Sequence, residues 1–168
     1  ITSSALERLL LYVTYSPYVV ALLVFGIHPF TNYKYESFWR LFNITFMYWL
    51  NTVLKLCFSE GRPYFYNGDV IPKYCWTECN YGKPSGHAHS AVTYLLILQS
   101  WPSMGDPRSL TKKILIRTLM GCIMFSRLFF GLHTVSQLAL GALWGVFQLS
   151  LVGNFRRLYE EKVMIEVR

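Results

Sequence analysis

Three short blocks of the sequence carry residue types suited to holding and splitting a phosphate ester: Lys55-x6-Arg62-Pro63, Pro84-Ser85-Gly86-His87 and Ser126-Arg127-x5-His133. Lys55, Arg62 and Arg127 suit a tetrahedral dianion, because guanidinium groups give fork-like hydrogen bonds to phosphate oxygens and an ammonium adds a point charge. The second block reads as the start of a helix. Ser85 can cap it, and Gly86 lets a backbone N–H approach an anion closely while the helix dipole favours negative charge. Two histidines beside such a cradle would divide the chemistry, one attacking phosphorus and the other protonating the departing alcohol. His87 and His89 form an H-x-H pair, but no aspartate or further histidine stands at a spacing that completes a metal site.

Each of these residues, taken singly, has a plainer role. A long cation near a helix end snorkels to the membrane interface, Ser-Gly caps many helices, and a lone histidine is often structural. What decides between the readings is the set of elements that carries them. The chain has 168 residues, room for one domain spanning 1–168, and its 53% hydrophobic content is high for a soluble fold of that size. Five segments have the length and apolarity expected of bilayer spans: about Leu9–Ile27, Trp39–Phe58, a shorter one from His87 through Ala91 to Trp101, Ile114–Leu132 and Val135–Phe155. The expected fold is therefore an all-α, polytopic transmembrane helical bundle. The chain starts without methionine, and its first apolar run is followed by further spans, so it reads as a membrane helix rather than a cleaved signal peptide.

Alternating spans bring the Lys55 end of the second, the start of the third, the end of the fourth and the start of the fifth to one face. All three blocks meet there, and the long loop 59–85 carries parts of two of them. The opposite face receives Lys34, Arg40, Arg108, Lys112, Lys113, Arg156 and Arg157, whereas the motif face keeps mainly Arg62, Lys73 and Lys83, offset by Glu60, Asp69 and Glu78. By the positive-inside rule the motif face is expected to be lumenal or extracellular. The net charge of +7 is explained by this topology rather than by nucleic-acid binding, since no basic run exceeds two residues. Snorkelling does not explain why several cations and imidazoles converge on one face, where each intramembrane charge costs roughly 2.5–3.5 kcal/mol. Smaller features have structural readings. Gly141-x3-Gly145 permits close helix packing, Asn51 either orients Lys55 or bridges two helices, and Cys75-x3-Cys79 leaves a local disulfide open.

The three blocks, with their order and gaps, resemble the type 2 phosphatidic acid phosphatase (PAP2) superfamily, whose pattern is K-x6-RP, PSGH and SR-x5-H-x3-D. Here they stand as KLCFSEGRP (55–63), PSGH (84–87) and SRLFFGLHTVSQ (126–137), and the similarity covers roughly Asn51 to Gly145. The resemblance implies a bundle of usually six helices, of which five are visible, the family's first being absent or upstream. It implies that His133 is the nucleophile forming a phosphohistidine and His87 the acid that protonates the leaving group and then activates water. It further implies that Lys55, Arg62, Ser85, Gly86 and Arg127 bind phosphate, with no metal or other cofactor. Expected partners are membrane lipids and a phosphate-containing substrate, not nucleic acid, in the endoplasmic reticulum, another endomembrane or the plasma membrane. Membership of a membrane complex or a homo-oligomer stays open.

One position departs from the pattern: Gln137 stands where the family has an aspartate behind the nucleophilic histidine. A neutral replacement of the aspartate in a serine-protease triad costs about 10⁴ in rate. A glutamine carbonyl still accepts the histidine's Nδ1–H, and glucose-6-phosphatases of the superfamily resemble this chain there and in the Trp49-Leu50-Asn51…Arg62-Pro63-Tyr64 block. The expected activity is hydrolysis of a lipid phosphate, monoester or diphosphate. The alternatives are a catalytically silent structural or lipid-binding subunit, a sugar-phosphate phosphatase and a lipid phosphotransferase.

Overall fold

The computed structural model describes residues 4–27, 30, 32, 34–72, 80–100, 106 and 108–166. Among them six helices follow one another: α1 (Ala5–Ile27), α2 (Lys34–Phe58), the single turn α3 (Pro63–Tyr66), α4 (Gly86–Gln99), α5 (Leu110–Phe129) and α6 (Val135–Glu166). No strand occurs among the described residues, and the chain is an all-α bundle of five long helices.

Helix α4 occupies the centre. It packs against α1, α2, α5 and α6, and its buried residues run nearly continuously from Ala88 to Leu95 with no polar face. A helix with no continuous polar stripe, its His89, Ser90 and Thr93 buried along with its apolar residues, belongs in such a place. Its 14 residues reach only ~21 Å at 1.5 Å per residue, short of a ~30 Å hydrocarbon core. Among the described residues, three helical stretches are long and apolar enough to cross a membrane on their own: Ala5–Ile27, Lys34–Tyr66 and Val135–Val163. The five expected spans thus correspond to five helices, but α4 is too short and α5, carrying Lys112, Lys113, Arg117 and Arg127, too charged to qualify alone.

Boundaries follow local chemistry. Ser85 and Ser109 cap α4 and α5, their hydroxyls accepting from Ala88 N and Lys112 N. Helix α5 begins four residues earlier than its expected Ile114 and stops at Phe129, three before Leu132. The early stop is set by Gly131, whose φ of +67° lies in the left-handed region that favours glycine. Leu132 N donates back to Arg127 O at 3.0 Å, so the chain turns sharply and delivers His133 to the end of the bundle. Helix α6 runs eleven residues past the expected Phe155, to Glu166.

Glycine makes the tightest seam. A Cβ on Gly141 would lie 2.5 Å from Ser85 O, and one on Gly145 would lie 2.8 Å from Val92 Cβ, so the Gly-x3-Gly step is where α6 meets α4. A buried polar chain also ties the core together. Asn51 Nδ2 lies 3.3 Å from His89 Nδ1, His89 Nε2 lies 2.8 Å from Gln148 Oε1, and Gln148 Nε2 donates to Asn43 O at 2.7 Å. His89 and Gln148 are fully buried. Of the two roles open to Asn51, the structure shows the bridge between helices; the second histidine of the H-x-H pair is part of it.

Polar groups collect at two poles. Glu36 at the start of α2 is bound by Arg156 of α6 through both carboxylate oxygens, and Arg156 Nε also donates to Glu160 Oε1 at 2.8 Å. Lys55 lies nineteen residues along the same helix, a rise of ~28 Å and close to a hydrocarbon thickness. Between the poles many large apolar side chains face outward, Leu22 at 72% and Leu143 at 65% exposure among them. A belt of that extent needs lipid as its solvent. The chain is an integral membrane protein. Cys57 and Cys122 are free thiols; Cys75 and Cys79 lie outside the described residues.

Candidate active site

A cavity of about 450 Å³ opens at the Lys55 pole, and Lys55, Arg62, Gly86, His87, Arg127 and His133 all line it. Residues from five separate stretches of chain are brought to one place. Lys55 comes from the last turn of α2, Arg62 from the N-cap of α3, Gly86 and His87 from the first turn of α4, Arg127 from the last turn of α5, and His133 from the α5–α6 turn. Ser85 and Gln137, also singled out from sequence, stand behind the lining. Ser85 spends its hydroxyl on capping α4, and its N–H donates to Gln137 O at 3.0 Å.

Arg62 is almost wholly buried, at 2% exposure, and each of its nitrogens is engaged. Nε donates to Asn80 O at 2.9 Å, Nη2 to Asn80 Oδ1 at 2.6 Å and Nη1 to Leu132 O at 3.1 Å. Nη1 also sits 3.2 Å from His133 Nε2. Lys55 Nζ donates to the same Asn80 Oδ1, at 3.2 Å, and to Tyr81 O. Asn80 therefore sets the positions of two cations. No sequence signal pointed to it, since it sits in the long irregular loop where neither helical nor strand periodicity applies.

His133 is 3% exposed. Its Nδ1 lies 3.1 Å from Gln137 Oε1, one helical turn on, leaving Nε2 turned to the cavity and Arg62. The pair is consistent with one tautomer: Nδ1–H donates to the amide oxygen, and Nε2 keeps its lone pair for the guanidinium. Burial, then the positive charges of Arg62, Arg127 and Lys55, hold this imidazole well below its ordinary value of 6.5, opposed by the Gln137 hydrogen bond. A neutral, oriented imidazole with an unprotonated Nε2 in a cationic cavity can act as a nucleophile toward an anion. His87 meets Tyr18 of α1 edge-on, with centroids 5.4 Å apart.

The wall of the cavity toward α1 and α2 is of another character. Leu11, Tyr15, Tyr18, Met47 and Tyr48 line it along with the polar Thr14, Asn51 and Thr52, and Phe130 and Leu132 also border the cavity. Helices α1 and α5 are joined beside it by a 2.5 Å hydrogen bond between Thr14 Oγ1 and Ser126 Oγ, both buried. Among the described residues no group of three His, Cys, Asp or Glu side chains gathers as metal ligands.

A family model described as the PAP2 superfamily matches residues 37–157. Among solved structures, the chain is similar to the crystal structure of a transmembrane PAP2-type phosphatidylglycerolphosphate phosphatase from Bacillus subtilis. The TM-score is 0.73 at 23% identity, over 94% of this chain and 79% of that one, and the likeness is one of fold. No curated protein matches the chain in sequence.

Proposed function

From the premise that this chain belongs to the PAP2 superfamily, we propose that it is a membrane phosphatase acting on a lipid phosphate through a phosphohistidine on His133. The observation that carries this reading is the His133 imidazole, held at Nδ1 by Gln137 with Nε2 beside Arg62 in the cavity. A silent subunit has no need to aim that nitrogen.

In the proposed reaction the Nε2 lone pair attacks phosphorus and the ester P–O bond breaks, its electron pair leaving with the alkoxide. His87, starting protonated, gives that oxygen its proton. His87 then takes a proton from water, whose oxygen attacks the phosphohistidine; the P–N bond breaks, the pair returns to Nε2, and inorganic phosphate is released. Lys55, Arg62 and Arg127 stabilise the charge on the three phosphoryl oxygens, with the Gly86 backbone at the start of α4. Ser85 acts as the cap that fixes that start.

A lipid phosphate is favoured over a sugar phosphate by the cavity's Leu11, Met47 and Tyr48 wall beside the lipid-facing belt. The charge asymmetry supports a site on the lumenal or exoplasmic side. Purified protein is expected to release inorganic phosphate from a vesicle-borne phosphatidate or isoprenoid diphosphate, with release lost in His133→Ala. Absence of release across lipid phosphates, diphosphates and sugar phosphates would overturn the reading.

A further inference from the structure

Gln137 is held from behind. Its Nε2 donates to Glu60 Oε1 at 2.9 Å and to Gly61 O at 2.8 Å, so both amide hydrogens are taken by acceptors. Its Oε1 faces His133 Nδ1 and also accepts from Thr134 N at 3.3 Å. Turning the amide over would set –NH₂ against Thr134 N–H and oxygen against a carboxylate, so the surroundings admit one orientation. Glu60 is placed by two further contacts: its Oε2 binds Lys83 Nζ at 2.7 Å, and its carbonyl accepts from Gly82 N at 2.7 Å. Gly82 lies flat on the amide, where a Cβ would come within 2.7 Å of both Gln137 terminal atoms.

We infer that Glu60 is a positioning residue for His133, acting through Gln137, and that the Glu60–Gln137 pair does the work of the single carboxylate the family usually places behind this histidine. The amide relays the contact: Glu60 polarises the Nε2–H side, which strengthens Oε1 as an acceptor for Nδ1–H. This matters most when phosphorylation of Nε2 makes the ring cationic. The inference rests on the phosphatase reading for its catalytic meaning, but the orientation it assigns to His133 exists without turnover.

Two measurements on the full-length chain in detergent test it. Nitrogen-15 spectra of histidine-labelled protein, with His133 assigned by its loss in His133→Ala, are expected to show the Nδ1–H tautomer in the wild type and in Glu60→Gln, which keeps an acceptor. A mixture of tautomers is expected in Glu60→Ala. An unchanged tautomer in Glu60→Ala overturns the inference, whether or not the protein releases phosphate. In kinetics, Glu60→Ala should lower kcat roughly 10–100-fold with KM little changed, and Glu60→Gln less. In a Gln137→Asp background Glu60→Ala should cost nothing or restore rate, since two carboxylates would then repel. Equal losses in both backgrounds would assign Glu60 only a structural ion pair with Lys83 and overturn the inference. Wild-type protein that releases no phosphate refutes the proposed function, and the tautomer measurement still decides for or against Glu60.

Discussion

The chemistry of the site turns on how a buried imidazole is kept neutral and aimed. Removing Arg127, a cation lining the cavity, should lower kcat by roughly 10²–10³, the usual cost of one donor to a developing charge; steady-state rates of Arg127→Ala check it. His133 also makes a pH prediction whose sign follows from its depressed value. As pH falls below about 6.5, the unfolded chain protonates this residue while the folded one resists. The stability it contributes is whole above that pH and is lost progressively as pH falls toward the folded value. Thermal midpoints in detergent should therefore drop between pH 7.5 and 5, with a shallower slope in His133→Asn. The motif residues that line the cavity were legible in sequence because each lies in a block whose internal spacing is a property of one local turn. Asn80 and Glu60 were not, since both act on residues distant along the chain, Arg62 and Lys55 for Asn80 and Gln137 for Glu60.

Among the helices, the site depends on how closely α6 approaches α4 and on where α5 ends. Gly141→Ala places a methyl 2.5 Å from Ser85 O, backbone that cannot yield cheaply. It should destabilise by about 1–3 kcal/mol and displace the Ser85–His87 turn; a lowered thermal midpoint together with reduced kcat is expected. Gly131→Val meets a left-handed φ of +67° and Val70 Cγ1 at 3.0 Å. A cost of at least about 1–2 kcal/mol follows from the backbone, with His133 misplaced as a result. The Asn51–His89–Gln148 chain links α2, α4 and α6. Interhelical hydrogen bonds in membranes are worth ~0.6 kcal/mol on average, so its value lies in specifying register more than in strength. The expected third span, His87 to Trp101, lies within two residues of the observed α4, whereas α6 runs eleven residues past its expected Phe155, because a polar extension carrying the Arg156–Glu160 pair leaves no apolar signal to read.

At the scale of the molecule, two polar poles about one bilayer apart define the axis along which the bundle crosses the membrane. Single cysteines at Asp69 and at Arg157, placed in an otherwise cysteine-free chain, should react with an impermeant thiol reagent from opposite sides of a sealed membrane. Labelling of both from one side would refute a membrane-crossing arrangement, and access to position 69 only from the cytosolic side would refute the exoplasmic site. The sequence by itself determined the all-helical membrane class, the family and the residues that gather at the cavity, since apolar span length and short-range motif spacing are local quantities. Only the tertiary structure decided that α4 lies at the centre, that Asn51 bridges helices and that Gln137 takes its orientation from Glu60. Those facts depend on which distant segments touch, and contact between Glu60 and Gln137 across seventy-six intervening residues leaves no periodicity to read. Gln137 looked like a lost charge in the chain; in the fold it stands between its histidine and a carboxylate.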